Sequence, residues 1–302
     1  MSGGAGARPS LAFMALLAGA AAIAFAPIFV RLADVSPAAS AFWRVAIAAP
    51  VLWIWLLNSP RAAANAGVGP TSPAPGTPAS AYRPAILAGL FFACDLGTWH
   101  VAIAWTSIAN STLEANFAPV FVTLGAWLLW RQRPSALFVL ALGMTLGGAV
   151  LLIGPNFHAG GKSFTGDMLG VLTAVFYAGY MLALKTATGQ LGTARLMTIS
   201  TTVSALLLLP YALLSDGRFL PQGFEGWAVL AAMALIAQAG GQSLIAYAFS
   251  RLPAAMSSVG LVLQPLMAAL FAWLLLGESM TPWQLAGGVV VLGGIALARR
   301  TG

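Results

Sequence analysis

Charged side chains make up only 7% of this 302-residue chain, while 60% of its residues are hydrophobic. A soluble fold built from it would have almost nothing with which to coat its surface, so lipid is the solvent for most of the chain. The one cysteine, Cys94, lies inside an apolar stretch; that excludes a disulfide framework and suits a small buried residue. Histidine is nearly as scarce, with only His100 and His158. Lacking a His-Glu-x-x-His run or a nucleophile beside a base, the chain does not read as an intramembrane enzyme, and no metal or cofactor is expected. No glycine loop of the phosphate-cradling kind occurs, which argues against ATP-driven transport. The net charge of +7 comes from cations scattered between apolar stretches, not gathered on one polar face, so no nucleic-acid partner is expected.

What the chain does have is apolar length. Ten stretches, near 11–31, 38–57, 85–105, 110–130, 136–154, 168–186, 196–215, 226–248, 255–276 and 283–298, can each span a hydrocarbon core, which takes roughly 20 residues. The first follows Arg8 in the manner of a secretory signal, but its apolar run is too long for one and reads as a retained helix. Cationic connections stay on the cytoplasmic side of a membrane. With the amino terminus inside, Arg8, Arg61, Arg83, Arg131, Arg133, Lys185, Arg195, Arg251, Arg299 and Arg300 fall inside. Only Arg31, Lys162 and Arg218 fall outside, together with Asp34, Asp167, Asp216, Glu225 and Glu278. This sorting requires an even number of spans and predicts two cytoplasmic termini. The stretch 58–82, rich in Pro, Gly, Ala, Ser and Thr, is expected to be a flexible cytoplasmic linker.

The chain also repeats itself. Laying Pro119 on Pro265 aligns Ala126 with Ala272, Trp127-Leu128-Leu129 with Trp273-Leu274-Leu275, and Gly147-Gly148 with Gly293-Gly294, without a gap. The connection near 154–166 divides the chain into a first five-span unit, 1–154, and a second, 155–302. A unit with an odd number of spans must sit in the bilayer in two opposite orientations. The expected fold is an all-α membrane protein of ten transmembrane helices, arranged as two inverted-topology five-helix repeats around a central cavity. Pro119 and Pro265 each remove a helical hydrogen bond, and their matching places make them candidate hinges. Pro27 in the first span has no mate and reads as an ordinary membrane-helix kink. The pattern Gly143-x-x-x-Gly147 and the pairs Gly287-Gly288 and Gly293-Gly294 supply small faces for close helix packing, with dimerisation as the lesser alternative.

On Pro265, the Leu274-Leu275-Leu276-Gly277-Glu278 exit of span nine and the glycine-rich tenth span, echoed by Pro119 and Gly143 to Gly148, the chain resembles the ten-span EamA-type branch of the drug/metabolite transporter superfamily. The resemblance covers essentially the whole chain. Its motifs are loose and identify a fold and a transport mode far better than a substrate. It implies export of small metabolites from the bacterial inner membrane, with amino acids, aromatic ones included, among the commonest. Where the family often repeats an acidic residue after span four, this chain has Arg131-Gln132-Arg133, so Glu278 is expected to mark a loop or helix start.

An ionisable group at mid-membrane costs at least about 2.5–3.5 kcal/mol and normally faces a cavity or a partner. Asp95 sits mid-span, one turn before Trp99, with no basic residue in its own span to neutralise it. His100 follows, either as a proton-linked switch or as a satisfied interior histidine. Glu114 opens span four beside Asn116, as a site residue or as a helix cap. Arg44 in span two is either the buried partner of Asp95 or a forked clamp for a substrate carboxylate. Tyr177, Tyr180 and Tyr247 offer apolar rings with polar tips, Gln238 and Gln242 form an i, i+4 amide pair on span eight, and Gln264 precedes the Pro265 bend. Trp105, Trp130, Trp227 and Trp283 lie near span ends and read as interface anchors. Aromatic walls, amides and few fixed charges favour small neutral or zwitterionic solutes, amino acids best, crossing by alternating access through a cavity lined by spans one, three, four, six, eight and nine. An exporter of drugs or lipophilic cations is the runner-up, and a scaffold or receptor is a more distant reading. Asp95, Glu114 and His100 are candidate proton carriers, although facilitated diffusion would need none.

Overall fold

The computed structural model describes residues 7–65, 79–105, 114–153, 163–276 and 281–301. Among these residues every regular element is a helix: α1 (Ala7–Ile23), α2 (Ala26–Leu32), α3 (Pro37–Asn65), α4 (Arg83–Trp105), α5 (Ala118–Trp130), α6 (Ala136–Ile153), α7 (Ser163–Thr188), α8 (Thr193–Leu214), α9 (Gly223–Ala232), α10 (Ser243–Phe249), α11 (Ala254–Gly260), α12 (Leu263–Leu276) and α13 (Pro282–Thr301). A π-helical stretch, Met233–Gln242, joins α9 to α10, and a 3₁₀ turn, Ala79–Tyr82, leads into α4. Helices suit lipid because each closes its own backbone hydrogen bonds. Among the described residues eight helical stretches are long and apolar enough to cross a bilayer; Ala118–Trp130 and Ala136–Leu152 are shorter apolar helices. These ten stretches overlap the ten expected positions. The expected linker 58–82 is trimmed, because α3 runs on to Asn65; the run Ala62-Ala63-Ala64 favours one more helical turn. His158, Lys162 and Glu278 lie outside the described residues.

Three spans are interrupted where the packing turns inward. Short turns at Ala24-Phe25, Asn116-Phe117 and Leu261-Val262 precede α2, α5 and α12. The expected hinge prolines Pro119 and Pro265 stand just inside α5 and α12, and Pro27 stands in the first turn of α2. There the absent N–H leaves no orphan in the helix. Tightened i→i+3 bonds close the breaks: Phe117 N to Glu114 O at 3.0 Å, Val262 N to Val259 O at 3.1 Å, and Gln264 N to Leu261 O at 3.0 Å. Pro27 is therefore more than an incidental kink, because it starts a new helix.

The large interfaces join one half of the chain to the other. α3 packs on α8, α4 on α7, α1 on α10 and the π stretch, α5 on α11, and α6 on α13. The last pair meets backbone to backbone. A Cβ on Gly148 would lie 2.7 Å from Val291 N and 2.8 Å from Gly287 O, and one on Gly287 would lie 2.7 Å from Gly148 O. The companion contact sets Gly294 against Ala141 and Thr145; it is the first contact shifted by the Pro119-to-Pro265 offset. Gly143 and Gly147, by contrast, have nothing within 4 Å. The close face is therefore Gly148, Gly287 and Gly294 rather than the Gly143-x-x-x-Gly147 stripe, because the true seam depends on which helix lies opposite.

Connections expected to share a side meet each other. Arg218 forms a salt bridge with Asp34 at 3.9 Å, and Asp34 Oδ2 accepts from Gln222 N at 2.6 Å. At the other end, Lys185 Nζ donates to Phe249 O and Leu252 O, both at 2.8 Å, which ties α7 to carbonyls at and just past the end of α10. Each charge-assisted bond is worth about 1.5–3 kcal/mol. Lys185→Gln is expected to lower the melting temperature of the detergent-purified protein and to raise proteolysis at the 250–253 connection, where a silent substitution would leave both unchanged.

Candidate substrate cavity

The three breaks converge on one cavity of about 100 Å³. Spans one, two, three, four, six, eight and nine contribute to its wall; span two, not expected there, contributes Arg44. On α4, Phe92, Asp95 and Trp99 recur at helical spacing and face it together. Asn116 and Pro119 reach it from the fourth span, Thr173 and Tyr177 from α7, Gln242 from the π stretch and Gln264 from α12. Eight residues singled out in the sequence, Arg44, Asp95, Trp99, Asn116, Pro119, Tyr177, Gln242 and Gln264, thus share one wall.

The remaining candidates stand elsewhere. His100 lies one residue past Trp99, about 100° further round the helix by ordinary helix geometry. It is fully buried away from the cavity, with Nδ1 2.7 Å from Leu96 O and Nε2 without a partner. Glu114 lies near Asp167 and against Gly170, where any Cβ would collide with its carboxyl group; it does not line the cavity. Tyr180 lies behind Tyr177, stacked on it at 6.0 Å and against Phe92 at 4.7 Å, and its hydroxyl donates to Gln242 Oε1 at 3.3 Å. Tyr247 carries the Arg251 guanidinium 3.8 Å above its ring. Pro265 shapes the α12 entry without touching the cavity.

Gln238 and Gln242 are both buried but divide their work. Gln242 faces the cavity, and the Tyr177 hydroxyl points to it and to Gln264. Gln238 lies behind, accepting from Arg44 Nε at 3.3 Å and donating to Thr201 Oγ1 at 3.2 Å. Arg44 also stands 5.8 Å from the Phe92 centroid. Arg44 and Asp95 act on each other electrostatically but form no salt bridge within 4.0 Å. A guanidinium held by an amide and a carboxyl group accepting no direct bond from it therefore flank the same small space. Pro27, expected only as an ordinary kink, also lines it, as do Phe92 and Thr173, which were not singled out in the sequence. Phe92 and Thr173 lie three and four residues before Asp95 and Tyr177, a spacing that would have found them.

The sequence profile of the EamA-like transporter family matches residues 10–154 and again 164–300. Over 216 residues the chain is 27% identical to the pseudopaline exporter CntI of Pseudomonas aeruginosa, covering 71% of this chain and 74% of that one. Over 205 residues it is 26% identical to an uncharacterized transporter of Archaeoglobus fulgidus, covering 68% and 72%. A crystal structure superposes with a TM-score of 0.76 at 18% identity, over 97% of this chain and 98% of the other, a likeness of fold alone.

Proposed function

Since this chain belongs to the EamA-like transporter family, we propose that it is a secondary exporter of small zwitterionic metabolites, amino acids best, working by alternating access in the bacterial inner membrane. The observation that carries this reading is the pair Arg44 and Asp95 on one cavity wall without a salt bridge between them. A guanidinium matches a solute carboxylate and a carboxylate matches its ammonium, while Trp99 and Tyr177 supply apolar walls. Ten spans in two inverted repeats agree with the double family match and with helix pairing between the halves. A space of about 100 Å³ is below the roughly 300–1,000 Å³ of ordinary ligand pockets; a solute of amino-acid size therefore requires the helices to part, and the breaks beside Pro27, Pro119 and Pro265 are where they would bend. The relationship to a pseudopaline exporter supports outward movement.

Arg44 in the wall opposes a bare lipophilic cation, and Glu114 is turned away from the cavity, so the drug-exporter reading loses its second anion. Counterflow into proteoliposomes preloaded with unlabelled solute tests the choice. Saturable exchange of labelled amino acids is expected, with lipophilic cations inert; exchange of cations alone would reverse the assignment.

A further inference from the structure

A second space lies apart from the central cavity. α1, α12 and α13 enclose a crevice of about 460 Å³, larger than the central one, lined by Leu17, Leu263, Leu292 and Ile295 and edged by Arg299 and Arg300. Leu292 is half exposed on a helix long and apolar enough to span a bilayer, so the crevice opens on an apolar flank of the bundle. The Arg299 guanidinium lies 4.8 Å over the Phe13 ring, which holds it at the rim. α1, α12 and α13 contain no Asp or Glu, and among the described residues neither arginine is in a salt bridge. Two adjacent positive charges thus sit at the mouth of an apolar slot, with no salt-bridged anion among the described residues.

We propose that this crevice is a binding site for one anionic phospholipid, its acyl chain along Leu17, Leu263, Leu292 and Ile295 and its phosphate held by Arg299 and Arg300. Guanidinium groups present forked donors that match phosphate oxygens, and basic pockets between membrane helices select anionic headgroups in this way. A free phosphate would satisfy the arginines but leave the apolar slot empty, whereas a zwitterionic lipid would fill the slot and bring its own ammonium group against two cations. Only an anionic phospholipid answers both halves of the site. Such a lipid bridges α1 to α13 and buttresses α1, the first segment of the interrupted first span. The assignment is independent of the transported solute.

The test uses the full-length protein, stripped of lipid in neutral detergent and titrated with phosphatidylglycerol, phosphatidylcholine or inorganic phosphate while melting is followed and bound lipid is counted by native mass spectrometry. Phosphatidylglycerol is expected to bind at one saturable site and raise the melting temperature, and phosphatidylcholine to do so far less. Removing two surface cations, R299Q with R300Q, is expected to weaken that binding by roughly tenfold or more, at about 1 kcal/mol for each charge. The double substitution R131Q with R133Q should leave it unchanged. Ala296→Trp, which fills the slot and spares both arginines, should also abolish the effect. Equal stabilisation by the two lipids, undiminished phosphatidylglycerol binding in the R299Q/R300Q protein, or a full shift from inorganic phosphate alone would overturn the proposal.

Discussion

On the proposed function, Asp95→Asn and Arg44→Gln are each expected to lower amino-acid flux by about 10–100-fold, the loss that follows when a charge-assisted bond worth roughly 1.5–3 kcal/mol goes missing. The two losses differ in kind. Without Asp95 the ammonium end of the solute loses its partner, so a carboxylate lacking an amino group competes relatively better than before. Without Arg44 the carboxylate end is stranded, and an amine lacking a carboxylate gains instead. Inhibition of labelled amino-acid exchange by such half-solutes, compared between the parent and the two variants, separates this reading from a structural one. A purely structural ion pair would depress both competitors alike, and full flux in both variants would remove the pair from the site. Folding is checked in parallel by elution as a single species, because Asp95 is only 7% exposed and Arg44 3%.

Gly287→Val is the substitution expected to damage the fold most. Its Cβ would arrive 2.7 Å from Gly148 O and 2.7 Å from Leu152 N, and backbone atoms cannot step aside as a side-chain tip can. Overpacking costs about 1–3 kcal/mol even where side chains yield, so α6 and α13 must separate. Gly148→Leu meets Val291 N and Gly287 O from the other side and should behave likewise. Gly143→Val is the control, since nothing lies within 4 Å of that position. A large fall in melting temperature for the first two and none for the third is the expected pattern; equal effects would mean that the seam lies elsewhere.

These contrasts show what could be read from the chain by itself. Scarce charge and apolar length announce a helical membrane protein because lipid admits few alternatives. Asp95, Trp99 and Tyr177 were legible as cavity residues because a charge or a polar tip in mid-membrane needs somewhere to face. His100 and Glu114 met the same criterion and still lie off the wall. One residue of helical rotation turns His100 into the packing, and the Asp167 and Gly170 surface that receives Glu114 comes from a distant part of the chain. Gln238 and Gln242 looked equivalent at i and i+4, but Gln238 is taken up by Arg44 and Thr201, whereas Gln242 lines the cavity. The seam glycines were visible as a class, whereas which of them touch depends on the helix placed opposite, a long-range fact that no local pattern encodes. The break at Pro27 went unread for want of a repeat partner.

The hold of Gln238 on Arg44 has one more consequence. When cargo departs, its oxygens leave, but the guanidinium still rests on the amide oxygen at 3.3 Å, which in turn is steadied by Thr201. On the proposed alternating-access cycle, a vacant carrier would thereby be spared a naked cation in a dry interior and would reset without loading anything for the return trip. Net one-way efflux, driven by the solute's own gradient, is the kinetic regime that such a built-in placeholder favours over strict swapping.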